Sequence, residues 1–192
     1  MDIMLFHSTY GLGPAVRAAA DRLRAAGHVV WTPDLFEGRT FDTVEEGMAY
    51  KEELGKEELL KRAVLAVAPY TDRGLVYAGF SLGASVAQTL ALGDDKARGL
   101  LLLHGTSDLA PNARVEELPV QLHVAEPDPF ETDDWLTAWY LSMGRAGADV
   151  EVYRYPGAGH LYTDPELPDY DAEAAEATWR VALGFLESLR PQ

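Results

Sequence analysis

Ser81 stands between two glycines in Gly79-Phe80-Ser81-Leu82-Gly83, after the apolar run Gly74-Leu75-Val76-Tyr77. A serine hydroxyl is a weak nucleophile at neutral pH. It becomes useful when a base within hydrogen-bond reach takes its proton and a third group orients that base. The G-x-S-x-G spacing has a mechanical reason: the nucleophile occupies a strained turn between strand and helix, and small neighbours let the two elements approach closely. Gly79, Gly83 and Ala84 meet that need. The competing reading of the same residues is a glycine turn with a helix-capping serine.

For a serine presented this way the partners follow in the order acid, then histidine, which sets aside His7 and His28 and leaves His104, His123 and His160. His123 lies inside a predicted strand with apolar neighbours, as a satisfied core histidine does. His104 ends a strand, but no acid in a suitable loop lies between it and the serine. His160, in Tyr155-Pro156-Gly157-Ala158-Gly159-His160, falls in a mobile-looking loop between the final strand and the final helix, and is the expected base. Asp128, in Glu126-Pro127-Asp128-Pro129, is the expected acid, with Asp108 as its competitor. Charge developing on a substrate oxygen needs donors: the Leu82 N–H, next to the serine, and a second N–H from His7-Ser8-Thr9-Tyr10-Gly11-Leu12-Gly13. Thr9 is favoured there and Tyr10 is the alternative.

These residues need a scaffold that gathers strand ends. Apolar runs at Ile3 to His7, Val29 to Trp31, the run before Ser81, Leu100 to His104, Val120 to Val124 and Val150 to Tyr155 read as six strands. Between them lie helical patterns: one opened by Pro14 and closed by Gly27, one opened by the capping-box spacing of Thr43 to Glu46 and broken at Gly55, one after Ser81, one from Asp133 to Arg145, and a last from Ala172 to Leu189. Strands alternating with helices predict an α/β fold, a mostly parallel sheet with helices on both faces. Its functional loops lie beyond the carboxyl ends of the strands, where Ser81 falls. Only about 15 residues separate the fourth and fifth strands, too few for a lid domain.

The chain has 192 residues, 47% apolar and 24% charged, with a formal net charge of −15 and no cysteine. The length predicts one domain over residues 1–192. No apolar stretch approaches the roughly 20 residues of a bilayer span, and the acidic start does not resemble a signal peptide, so the expected location is the cytoplasm, with no membrane partner. The charge repels phosphate backbones, which makes nucleic acid an unsuited partner. Without cysteine the nucleophiles left are oxygen and lysine. Glu37, Arg39 and Asp42 have no histidine near them to complete a metal site, and none is expected.

The chain resembles the dienelactone hydrolase family of α/β-hydrolases over nearly its whole length. The likeness rests on Pro33-Asp34-Leu35-Phe36, Ala49-Tyr50-Lys51, Gly79 to Gly83, the Asp128 loop and Tyr155 to His160. It implies a lidless α/β-hydrolase fold that cleaves a small ester or lactone substrate without a cofactor. It also makes Tyr50 a candidate for the substrate pocket, beside Tyr10, although a helix tyrosine equally serves packing. Where the family's founding members carry a cysteine nucleophile this chain has Ser81, which ionises far less readily and depends more on its base. Ser8 replaces their resting-state acid. Their two substrate-carboxylate arginines fall near Glu46 and Asp164, so an anionic lactone is not the expected substrate. The expected activity is a serine hydrolase acting on a small carboxylic ester, thioester or lactone; the alternative is a non-catalytic small-molecule binding protein on the same fold. Monomer and homodimer remain equally open.

Overall fold

A computed structural model describes residues 1–190. The strands β1 (Asp2–Phe6), β2 (Val29–Trp31), β3 (Leu75–Phe80), β4 (Gly99–Leu103), β5 (Pro119–Glu126) and β6 (Asp149–Pro156) form a six-stranded sheet in the order β2-β1-β3-β4-β5-β6. Every pairing is parallel. β3 and β4 are buried along their whole length, the consequence of runs such as Leu100 to Leu103 that have no polar face to offer water.

The helices are α1 (Pro14–Ala25), α2 (Val44–Leu54), α3 (Lys56–Val67), α4 (Leu82–Ala91), α5 (Asp133–Ala146) and α6 (Ala172–Ser188). Each has a local cause. Pro14 pre-sets the first turn of α1, and the Thr43, Thr132 and Asp171 side chains accept backbone N–H bonds at the starts of α2, α5 and α6. Gly55, at φ +79°, separates α2 from α3 where the sequence predicts a break. One face of the sheet packs Leu59 and Ala63 of α3, Val86 and Ala87 of α4 and Leu136, Trp139 and Met143 of α5. The opposite face packs Val16, Ala20 and Leu23 of α1 against Trp179, Ala182 and Leu186 of α6. Pattern and layers agree, and the sheet is wholly rather than mostly parallel.

The strand order places the functional end. After β1 the chain crosses by α1 to β2 on one side, then returns by α2 and α3 to β3 on the other. The connections therefore part company beyond the carboxyl ends of β1 and β3, which opens a crevice between their loops. The loop from His7 and the turn at Ser81 flank it. Among the described residues no helix is long and apolar enough to cross a membrane.

Candidate active site

Ser81 follows the last residue of β3 and sits at φ +48°, ψ −108°, a conformation that costs a non-glycine residue of order 1–3 kcal/mol. The neighbouring glycines make the turn fit. A Cβ on Gly79 would lie 2.2 Å from the Gly83 carbonyl, and one on Gly83 would lie 2.4 Å from the Phe6 carbonyl oxygen. Gly105, after β4, closes from the other side: its Cβ would approach the Ser81 carbonyl oxygen to 2.7 Å. The elbow is wedged between β1 and β4, and its strain is held by backbone. Gly83→Ala is accordingly expected to lower the urea midpoint of unfolding by the equivalent of about 1–3 kcal/mol. An unchanged midpoint would mean that the elbow has room it does not show.

Ser81, His160 and Asp128 meet beyond the strand ends. The Ser81 hydroxyl lies 3.0 Å from His160 Nε2, and His160 Nδ1 lies 2.8 Å from Asp128 Oδ2. With Nδ1 donating to the carboxylate, Nε2 carries the lone pair that accepts from the serine. Asp128 is itself fixed, because its Oδ1 accepts the Phe130 N–H at 2.8 Å and the Glu131 N–H at 3.1 Å. Burial alone would raise the Asp128 carboxyl, but the bond from His160 and the two backbone donors hold it below its ordinary value. It stays ionised at neutral pH. Asp108 is exposed and forms no bond to His160.

The His160 loop departs from its expected mobile character. His160 is 9% exposed, Leu161 and Tyr162 are buried, and the Tyr162 hydroxyl pairs with Thr178 Oγ1 at 2.7 Å. The Leu161 N–H donates to Asp169 at 3.2 Å, and the exposed Phe130 ring covers His160 with its centroid 4.6 Å away. The glycines at 157 and 159 give a tight turn, and long-range contacts pin it.

The two proposed oxyanion donors stand at the crevice. Leu82 opens α4, so its N–H has no partner within the helix. Among the described residues the Thr9 N–H donates to no acceptor, whereas the Tyr10 N–H is engaged with Ser8 Oγ at 3.3 Å. The loop is braced by His7, whose Nδ1–H donates to the Ser8 carbonyl at 2.7 Å while Nε2 accepts the Leu35 N–H at 3.0 Å. A Cβ on Gly47 would lie 2.1 Å from the Thr9 carbonyl oxygen, so α2 seats directly on this loop. Tyr10 lines a cleft beside Ser8. Tyr50 instead joins an aromatic cluster, 5.0 Å from Phe36 and 5.4 Å from Phe41, beneath the Arg39 guanidinium.

The remaining histidines are structural. His123 is buried between Tyr155 and Gln121, both at 2.9 Å, and burial lowers it to about 3. His104 leaves β4 at φ +64°, fully buried, with Nε2 2.6 Å from Thr163 Oγ1. The predicted strand therefore ends one residue early.

One support is absent from the sequence expectations. Glu131 is 8% exposed and receives the Thr106 N–H at 3.0 Å and the Thr106 hydroxyl at 2.5 Å, and Trp135 Nε1 donates to that same hydroxyl at 2.7 Å. Burial pushes the Glu131 carboxyl up, and the Thr106 bonds offset part of the rise. This network ties the loop after β4 to the loop that carries Asp128. In the sequence Glu131 reads as the first of a polar run before α5, with no signal of burial.

The chain has relatives. A carboxymethylenebutenolidase from Pseudomonas sp. is 25% identical over 207 residues, covering 98% of this chain and 85% of its own. Among solved structures, a dienelactone hydrolase-like promiscuous phosphotriesterase from metagenomic libraries superposes with a TM-score of 0.83 at 21% identity, over 98% of this chain and 86% of that one. A dienelactone hydrolase from Anabaena variabilis superposes with a TM-score of 0.71 at 22% identity, over 98% and 86%. These structural likenesses establish a shared α/β-hydrolase fold, and the sequence model of one family matches from residue 2 to residue 189, from the first strand through the last helix. The chain belongs to the dienelactone hydrolase family.

Proposed function

We propose that the protein is a serine hydrolase that cleaves a small carboxylic ester, thioester or lactone through an acyl-enzyme. The observation that carries this reading is the unbroken line from Ser81 Oγ to His160 Nε2 at 3.0 Å and from His160 Nδ1 to Asp128 Oδ2 at 2.8 Å, at the mouth of the crevice. Its distances fall within the range of productive proton transfer. Membership of a hydrolase family supports the same class.

In this mechanism Ser81 Oγ bonds to the carbonyl carbon as its proton passes to His160 Nε2. The carbonyl oxygen becomes an oxyanion facing the Leu82 and Thr9 N–H groups. Collapse breaks the bond to the leaving oxygen or sulfur, which takes the proton from His160, and Ser81 stays acylated. Water then gives a proton to His160 and its oxygen to the acyl carbon; the second collapse returns the proton to Ser81 and frees the acid. Asp128 remains ionised throughout and stabilises the transient imidazolium.

A fluorophosphonate probe tests the activated serine. Intact-mass spectrometry is expected to show a single adduct that maps to Ser81 and is missing from Ser81→Ala. An unlabelled, folded wild-type protein would instead favour a binding protein on the same scaffold.

A further inference from the structure

A half-open chamber lies against the segments that flank Ser81, Thr9 and His160, outside the residues that would perform the chemistry. It measures about 170 Å³ and sits between α1, α6 and the segment after His160. Val16, Ala19, Phe80, Leu161 and Trp179 wall it, all at most 9% exposed. Three chain neighbours tie it to the site: Phe80 precedes Ser81, Ser8 precedes Thr9, and Leu161 follows His160. The only guanidinium on its lining, Arg22, is held in a two-bond pair with Glu176 at 2.6 Å each, so the two charges cancel at the rim.

Ser8, Ala15, Val16 and Asp164 also line a second cavity of about 320 Å³, which sets the two side by side as an inner and an outer arm. The outer arm carries Asp42, Asp164 and Glu166 and no lysine or arginine. Tyr10, which lines it, has its hydroxyl pKa raised by burial and by the carboxylates of Asp169, Glu45 and Asp164. A negative group entering this arm meets repulsion with no compensating cation.

We infer that the inner chamber holds the uncharged apolar arm of the ester and that the acidic outer arm turns anionic esters away. The inference rests on the ester-cleaving reading for the bond that is broken. Size follows from volume, since a protein cavity of about 150 Å³ accepts benzene; the arm is a phenyl ring or a chain of about four to six carbons. Ala19 and Ala175, on facing helices, set that limit because their small side chains leave the space.

The test varies the acyl chain with a fixed alcohol, then the alcohol with a fixed acyl group, and thereby shows which arm enters. For wild type, kcat/KM is expected to rise to about four to six carbons on one arm and fall at least tenfold by ten. Ala19→Leu and Ala175→Leu should each move the optimum to two carbons or fewer, with far-UV circular dichroism and the urea midpoint showing that each variant is folded. A neutral butyrate ester should exceed the matching hemisuccinate at least tenfold. Binding of methyl phenyl ketone to Ser81→Ala protein, followed by ligand-detected NMR, gives a readout independent of turnover; it should weaken at least tenfold when either leucine is added. Unchanged chain-length profiles and unchanged ketone binding in both leucine variants would overturn the inference, as would equal use of the hemisuccinate. If wild type turns over no ester while ketone binding still depends on Ala19, the hydrolase reading falls and the chamber stands.

Discussion

Ser81→Ala and His160→Ala are each expected to lower ester turnover at least about a thousandfold, and the double variant is expected to be no worse than either single one. In the proposed mechanism the two groups act as a unit: a serine without its base is a weak nucleophile, and a base without the serine has no bond to make. The residual rate comes from whatever the Leu82 and Thr9 donors and substrate binding still contribute over water. Asp128→Asn tests a different link. It keeps the shape of the loop but replaces an acceptor-only group by one that can present N–H to His160 Nδ1, which favours the wrong tautomer. A loss of about 10⁴ in kcat is expected with little change in KM. Steady-state kinetics on a neutral short-chain ester reads all four variants. Turnover retained within tenfold in His160→Ala would exclude His160 as the base, and multiplicative losses in the double variant would mean that the residues act separately.

Much of this site is legible in the sequence because its constraints are local. Two glycines around Ser81 are visible as a spacing, and the structure shows the backbone that requires them: the Gly83 carbonyl against Gly79, and the Phe6 carbonyl against Gly83. The α/β alternation is equally legible, since parallel strands covered on both faces need unbroken apolar runs. Three features escape it for one physical reason, that they depend on partners far along the chain. Leu100 to Leu103 and His104 form an apolar stretch with no internal stop, and β4 ends at Leu103 because His104 turns to meet Thr163, 59 residues on. Gly157 and Gly159 suggest mobility, yet Thr178 and Asp169 bind the loop from outside. Glu131 reads as a solvated charge and is buried because Thr106, 25 residues earlier, offers it two donors. Tyr50 shows the converse case: its helix position is compatible with a pocket, and its half-buried ring packs against Phe36 and Phe41 beneath Arg39.

The protein is expected to lose stability steeply as pH falls from about 6.5 toward 3, through histidines rather than through the Asp128 carboxylate alone. His7, His104 and His123 are buried, and burial lowers all three below the ordinary imidazole value, to about 3 for His123. In the unfolded chain each takes up a proton near pH 6.5; in the folded chain His123 stays neutral until about pH 3. The unfolded state therefore binds more protons across that window, and stability rises with pH through it, by about 1.4 kcal/mol per pH unit for each fully coupled histidine. Asp128, held below its usual range, acts in the same direction once the pH falls into the carboxylate range. Glu131 and Asp164 act oppositely, because burial raises them and the folded state then binds the extra protons. Histidine titration begins two units higher, so it dominates between pH 6.5 and 4.5, where His123 alone amounts to roughly 2–3 kcal/mol. The check is urea unfolding at pH 7.0 and 4.5 for wild type and for His123→Gln, which keeps an amide able to face Tyr155 and Gln121. The variant is expected to be less stable at pH 7.0 but to lose less on acidification. A pH dependence equal to that of wild type would show that His123 is not held neutral in the folded state, and that the packing of β5 against β6 tolerates a buried imidazolium.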